Sequence, residues 1–365
     1  MRSMSQINRW SVGVLLLGVL LAAAACSSDN NGDDESGTGG GSLGDGDGDS
    51  SGGSGGSGGS GQAPSGGASS LGGAGNATAC TVFPPDSAWN LDISELPVHE
   101  NSDNFVTSVG VDEQMHPDFG TEWEGAPIGI PYVVVDRNTS LVEVSYTAYG
   151  DESDPGPFPI PLDAPIEGGP EADGDRHVIA WDTDHCKLYE LYSAYPTAST
   201  WEAASGAAYD LSQLDDHPEG CTSADAAGLP IFPGLVRYDE VVEQGAILHA
   251  LRFTVEDSQR AYIYPARHYA SSDTDPNLPP MGLRFRMKAT FDCSAFSNEA
   301  QVVCTALKTY GMILADNGSN WYLSGAPDAR WNDDALGDLK TIPGSAFEVV
   351  DTGDPIVTDA PDCTL

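Results

Sequence analysis

The chain has 365 residues, 55 of them acidic and 15 basic, for a formal net charge of −40 at neutral pH. Such a surface repels nucleic acid and anionic lipid headgroups, because phosphate binding is carried by Lys and Arg. It also disfavours polyanionic substrates, and solubility or adaptation to salty surroundings is its simplest meaning.

In chain order the first element is a secretory signal over residues 1–25: Arg2 and Arg9 without an acid, then the apolar run VGVLLLGVLLAAAA. The run is short for a span, which takes roughly 20 apolar residues. Ala23-Ala24-Ala25-Cys26 resembles the bacterial lipobox, whose cysteine is lipidated and becomes the mature N-terminus. The resemblance implies export and a lipid anchor at Cys26; the alternative is an ordinary secreted protein cut near Ala25. Ser27, in place of the Asp that holds many lipoproteins at the inner membrane, favours the outer membrane or cell surface.

Residues 26–79 are rich in Gly, Ser and Asp. They carry too little apolar surface to offset chain entropy, so a coil-like linker is expected. Asp45, Asp47 and Asp49 alternate in a way that invites calcium, but the turn glycine and the distant bidentate Glu of a calcium loop are missing. No cofactor is expected, and calcium stays unsupported. Residues 80–365 make one large exported domain. Its six cysteines read as three disulfides, because an even number in an exported chain favours a framework. The preferred pairing is Cys80–Cys363 tying the ends, Cys186–Cys221, and Cys293–Cys304.

Within the domain, β-branched or alternating runs bounded by turn residues predict strands over Tyr132–Asp136, Leu141–Tyr146, His177–Trp181, Lys187–Ala194, Leu248–Val255, Ala261–Pro265, Gly282–Ala289 and Ser319–Ser324. Many strands without alternating helices point to a mostly β, two-sheet sandwich of jelly-roll type with one or two short helices. One helix is capped by Ser297 or Asn298, carries Val302, Val303, Ala306, Leu307 and Tyr310 on one face, and ends at Gly311. A shorter one is expected near Tyr238–Glu243. Asn317-Gly318 between two apolar runs reads as a hairpin turn.

The segment Ser223–Phe253 contains Ala227-Gly228-Leu229-Pro230, Gly234-Leu235, Arg237, Glu240, Gly245, Ile247 and His249-Ala250-Leu251; Tyr310-Gly311 and Asp316 follow. In these residues, and in GDRHVIAWDTDHCKLYELY, the chain resembles a group of secreted bacterial proteins and lipoproteins without a defined reaction. The resemblance implies secretion and a shared fold.

The candidate catalytic residues are His249, Glu240, Asp316 and Arg237. Imidazole titrates near neutral pH and a carboxylate partner tunes it, which makes His249 a candidate acid or base, with packing as its bland alternative. Arg237 and Glu240, three apart, face the same way on a helical turn, either as a local ion pair or as a substrate grip. Asp316 precedes a turn and is equally at home as a turn residue. His177, Asp182 and Asp184 form a second cluster, flanked by Arg176 and His185, but in a strand His177 projects opposite to Asp182 and Asp184, a poor metal set. The candidate substrate-binding residues are His268, Arg267, His177 and Trp321, with Trp123, Trp201 and Trp331 as further loop aromatics able to stack on sugars, burial being the default for side chains of that size. Elbow, zincin, phosphate-loop and dinucleotide fingerprints are absent from the sequence, and no paired CxxC or Cys/His spacing of a zinc site occurs.

The expected function is a surface-anchored carbohydrate-active enzyme of glycoside-hydrolase type, a lyase being less favoured, acting on an extracellular polysaccharide. The alternative is a non-catalytic carbohydrate-binding or structural lipoprotein. The expected partners are that polymer and the outer membrane through the lipid anchor, with no nucleic acid and a monomeric state.

Overall fold

The computed structural model describes residues 80–214 and 217–365. The expected signal, the anchor at Cys26, the linker and its Asp45–Asp47–Asp49 alternation lie outside the described residues. Among the described residues no helix is long and apolar enough to cross a membrane.

The domain is mostly β, with few short helices and several sheets. A six-stranded sheet runs, in spatial order, through His116–Asp118, Tyr322–Ser324, Leu251–Val255, Met312–Asn317, Arg284–Met287 and Phe347–Val349. A four-stranded sheet runs through Ser205–Asp210, Lys187–Tyr192, Val178–Asp182 and Tyr132–Val135. A three-stranded sheet of Glu143–Tyr146, Thr200–Ala203 and Tyr195–Pro196 and a two-stranded ribbon of Glu122–Trp123 with Ala126–Pro127 complete it. Both larger sheets are mixed: His116–Asp118 pairs in parallel with Tyr322–Ser324, Leu251–Val255 with Met312–Asn317, and Tyr132–Val135 with Val178–Asp182.

Alternation explains the layering. In the strand Val178–Asp182, Ile179 joins the larger core with Phe253, Leu323 and Phe285 of the six-stranded sheet. Val178 and Ala180, on the opposite face, join a smaller core with Trp201, Phe158 and Ile160. A strand covered on both faces reads as a continuous apolar run, as VIAW does here. The central sheet is therefore wrapped on both sides.

The helix Asn298–Thr309 follows its sequence signals. Ser297 is its N-cap and accepts the Ala300 amide at 3.4 Å, while Ala300, Val303, Cys304, Ala306 and Leu307 face the core. Gly311 terminates it at φ 67°, where a β-carbon would strike the Phe285 carbonyl. The expected short helix near Tyr238 is a π-helical turn, Asp239–Gln244, entered through a 3-10 turn at Phe232–Gly234.

Three sequence expectations need correction. Asn317-Gly318 does not make a hairpin, because Leu251–Val255 lies between the strands before and after it. The Gly318 amide donates to the Val255 carbonyl at 2.8 Å, so the turn wraps the end of that inserted strand. Ala261–Pro265 is not a strand; Tyr262 makes only single bridges to Met281 and Val357. The strand proposed from Leu248 begins at Leu251, which leaves His249 in the preceding loop.

The disulfides are Cys80–Cys186, Cys221–Cys363 and Cys293–Cys304. The last pairing agrees with the sequence reading; Cys80–Cys363 and Cys186–Cys221 do not form. The two ends of the described domain are tied to different places. The N-terminal segment runs beside Leu211, whose carbonyl accepts the Phe83 amide and whose own amide donates to Cys186. The C-terminal segment packs against Gly220, whose α-carbon faces the Pro361 carbonyl. Spacing along the chain carries none of that proximity. Non-reducing peptide mapping is expected to recover these three bridges; a Cys80–Cys363 peptide would contradict the fold. Replacing Cys221 and Cys363 by Ser, which opens a span of 142 residues, should cost about 2 kcal/mol more in denaturant unfolding than opening the 11-residue Cys293–Cys304 span.

Candidate active site

The six-stranded sheet carries one polar face. Strand alternation puts His116 and Asp118 on that side of the first strand and Tyr322 and Ser324 on that side of the second. Register aligns His116 with Tyr322, Tyr322 with Thr254, and Thr254 with Asp316. A second row sets Asp118 beside Ser324, whose hydroxyl lies 2.6 Å from the Arg252 guanidinium.

Asp316 reaches this face through a β-bulge. Phe253 pairs with Leu314, but Thr254 pairs with Asp316, so Ala315 is the extra residue. A one-residue insertion moves the following side chains to the other face of a strand, and bulges of this kind re-aim side chains beside active sites. The Ala315 carbonyl accepts the Ala227 amide at 3.1 Å, which fixes the bulge to the loop carrying Asp225.

Beneath the face lies the Arg252–Asp225 pair. Two guanidinium nitrogens of Arg252 each meet an Asp225 oxygen at 2.9 Å, and Asp225 is fully buried. Arg252 also reaches Asp316 at 3.4 Å. Asp316 is 22% exposed, the accessible member of the trio. Burial, followed by the charge of Asp225, pushes its carboxyl up to about 7, with Arg252 and His177 acting in the opposite direction.

Two loop segments, one of them leading into the strand Val178–Asp182, contribute Glu167 and His177. His177 Nδ1 lies 2.6 Å from Glu167 Oε2, and Nε2 donates to the Ala224 carbonyl at 3.1 Å. Burial works against a charged imidazole, but Glu167 overrides it and raises His177 to about 9. Burial likewise works against an ionised Glu167, yet His177 and then Arg252 hold it below the usual range. Asp118 is raised by burial and by Glu167, partly offset by Arg252. Asp316 and Glu167, shifted in opposite directions, thus share the fields of Arg252 and His177. Glu167, Asp175 and His177 also bring ligand atoms within 4.8 Å of one another, the one such group among the described residues. With both ring nitrogens of His177 donating, His177 and Glu167 stand as a salt bridge, and a metal there would have to replace a proton.

Sequence reasoning grouped His249, Glu240, Arg237 and Asp316, and the structure separates them. Arg237 meets Glu240 at 2.6 Å, and His249 Nε2 meets both Glu240 and Arg237 at 3.2 Å. His249 Nδ1 donates to the Ala250 carbonyl at 2.8 Å, and Arg237 Nη1 donates to the Phe232 carbonyl. Burial opposes the charge on Glu240, but Arg237 and then His249 hold it at about 2. This trio is buried and mutually satisfied, a brace for the π-helical turn. Asp316 belongs to the Arg252 network instead.

Among the expected substrate-binding residues, Trp321 is fully buried among Phe253, Phe285 and Phe347 and donates to the Gly110 carbonyl. Trp201 and Trp331 are buried too, while Trp123 is 71% exposed on the two-stranded ribbon. His268 donates to the Ala226 carbonyl and stacks on Tyr269; Arg267 meets Glu219 at 3.5 Å. His177 lies in the site but faces Glu167, away from solvent. Arg176, beside it, donates to the Pro170, Ala172 and Ala194 carbonyls. Asp182 binds His185 and Asp184 binds Arg137, so neither joins His177. Residues the sequence reading did not single out are Asp118, Glu167, Asp225, Arg252 and Ser324. One signal was available: an arginine inside the apolar run LHALRFTV requires a buried acid.

Comparison with protein-family models, with curated proteins and with solved structures returns no match.

Two outcomes follow from this electrostatic arrangement. His177 stabilises the fold fully below 6.5, and that contribution is lost as pH rises through about 9. His177→Gln should therefore flatten the decline in melting temperature between those values, and an unchanged slope would contradict the pairing. Arg252→Met, which leaves Asp225 buried and unpaired, should cost about 3–5 kcal/mol in denaturant unfolding, whereas Arg252→Met with Asp225→Leu should recover much of it.

Proposed function

We propose that this protein is an exported, lipid-anchored carbohydrate-active enzyme of glycoside-hydrolase type that cleaves an extracellular polysaccharide. The observation that carries the reading is the Asp316–Glu167 pairing of environments. One partly exposed carboxyl is re-aimed by a bulge and pushed up to about 7, while a second carboxyl, which feels the same Arg252 and His177, is held below the usual range. Glycosidic hydrolysis requires that division of labour: an acid to protonate the leaving oxygen, and a carboxylate to activate water or attack the sugar. Arg252 holds Asp316 in place, and His177 holds Glu167. The lipobox-like start, the Gly/Ser/Asp linker and the disulfides support a tethered domain outside the cytoplasm. The strongly acidic composition favours a neutral polymer.

The test is reducing-end release by the full chain, disulfides intact, from neutral and acidic polysaccharides, with absorbance for unsaturated ends followed in parallel. Asp316→Asn and Glu167→Gln should each lower kcat by about 10²–10⁴ while the fold survives. The rate should fall as pH rises through about 7, where Asp316 loses its proton. Glu240→Gln should lower the melting temperature and leave turnover of the folded protein unchanged. Retardation in an affinity gel without cleavage would favour the binding module, and unsaturated products would replace hydrolysis by elimination.

A further inference from the structure

The row that ends at Asp316 begins in a cavity the mechanism does not use. His116 and Tyr322, partners in register, stack with ring centroids 4.3 Å apart and planes 18° from parallel. They line an open cavity of about 550 Å³, with Gln114, Ser319 and Asn320 around them. Two strand spacings, roughly 10 Å, separate Tyr322 from Asp316 across Thr254. Thr254 donates its hydroxyl to the Ser319 carbonyl at 2.8 Å, which ties the cavity wall to that same row.

The lining has unspent hydrogen-bonding capacity. The side chains of Gln114, His116, Ser319 and Tyr322 make no hydrogen bond within the protein among the described residues. Asn320 uses its carbonyl oxygen on the Glu256 amide and keeps its NH2 group for a ligand. Burial, with help from Lys340, holds the His116 pKa below its ordinary value, which favours the neutral ring. An apolar aromatic pair ringed by neutral donors and acceptors matches a sugar, with its apolar C–H faces and hydroxyl rim. The charged residues in the lining are Glu113 and Glu256, both acidic, against one nearby cation, Lys340, so a uronate or sulfated ring is disfavoured there.

We propose that this cavity is a remote subsite for a neutral sugar ring of the polymer chain, with His116 and Tyr322 as its specificity-determining residues. The assignment rests on the glycoside-hydrolase reading for its place on the substrate, though not for binding itself. A subsite away from the reacting bond positions the chain so that the glycosidic oxygen meets Asp316, and its contacts lower the barrier only through that placement.

Calorimetry on the full chain would use neutral oligosaccharides (hexaoses of glucose, xylose, mannose and arabinose) and uronate hexaoses as probes. The wild type would be compared with Asp316→Asn, Tyr322→Ala, Tyr322→Phe and His116→Ala, each checked by circular dichroism. The expected result is binding of a neutral probe and no uronate. That binding should be kept in Asp316→Asn, weakened a few-fold in Tyr322→Phe, which keeps the ring and loses the hydroxyl, and weakened about tenfold in Tyr322→Ala and His116→Ala. In the cleavage assay the same two alanine variants should act mainly on KM. Neutral probes bound equally by all variants, or cleaved with unchanged KM, would overturn the subsite and leave the enzyme reading standing. Probe binding that Tyr322→Ala abolishes, with no polymer cleaved, would sustain the subsite and overturn the enzyme. No binding and no cleavage would overturn both.

Discussion

The site is organised around one buried cation. Arg252 lies in the middle of a strand whose neighbours Leu251 and Phe253 are fully buried, and burying a guanidinium without partners is prohibitive. Asp225 answers its charge with two oxygens, Ser324 takes a third contact from the adjacent strand, and Asp316 a fourth from the other side. These partners come from two further strands and one loop, so the requirement to satisfy Arg252 fixes their mutual positions. Such a pair contributes little net stability against an apolar equivalent, but removing one half is costly. Its value is placement.

The chemistry follows from that placement. Asp225 occupies the two best sites on the guanidinium, so Asp316 receives only a long contact and feels a second carboxylate nearby. A carboxyl in that position keeps its proton to higher pH than an exposed one. Glu167 has the opposite surroundings, a short contact with a charged His177 that turns its other nitrogen to a backbone carbonyl. Each of these two carboxyls thus takes the direction of its shift from a more deeply buried neighbour. The bulge at Ala315 supplies the remaining element by turning Asp316 out of the core and onto the polar face.

What was legible in the sequence was local. The helix Asn298–Thr309 announced itself through Ser297, its apolar spacing and Gly311, all interactions within a few residues. The strands read through alternation, and the doubly covered strand at Val178 through its unbroken apolar run. Arg237 and Glu240 were placed together by their spacing, and His249 was weighed against a packing role that its hydrogen bonds support. The bulge left no mark, because MILADN is apolar on both faces and Ala315 looks like any other strand residue. The strand order around Asn317-Gly318 was hidden by the insertion of a strand from 60 residues earlier. Disulfide partners and the acid that answers Arg252 are likewise matters of distant segments meeting, which periodicity does not encode. Trp321 shows the limit from the other side: a tryptophan beside a turn left sugar stacking open against burial, and it is a core residue.

The central claim is that a carboxyl on the polar face of the six-stranded sheet stays protonated to neutral pH. Carbon-13 NMR of the side-chain carboxyls, with Asp316 identified by its loss in Asp316→Asn, measures this directly. The account predicts a titration midpoint near 7 for Asp316. A midpoint at the ordinary aspartate value of 3.8 would contradict it, because the proton donor on which the site is built would then be absent at neutral pH.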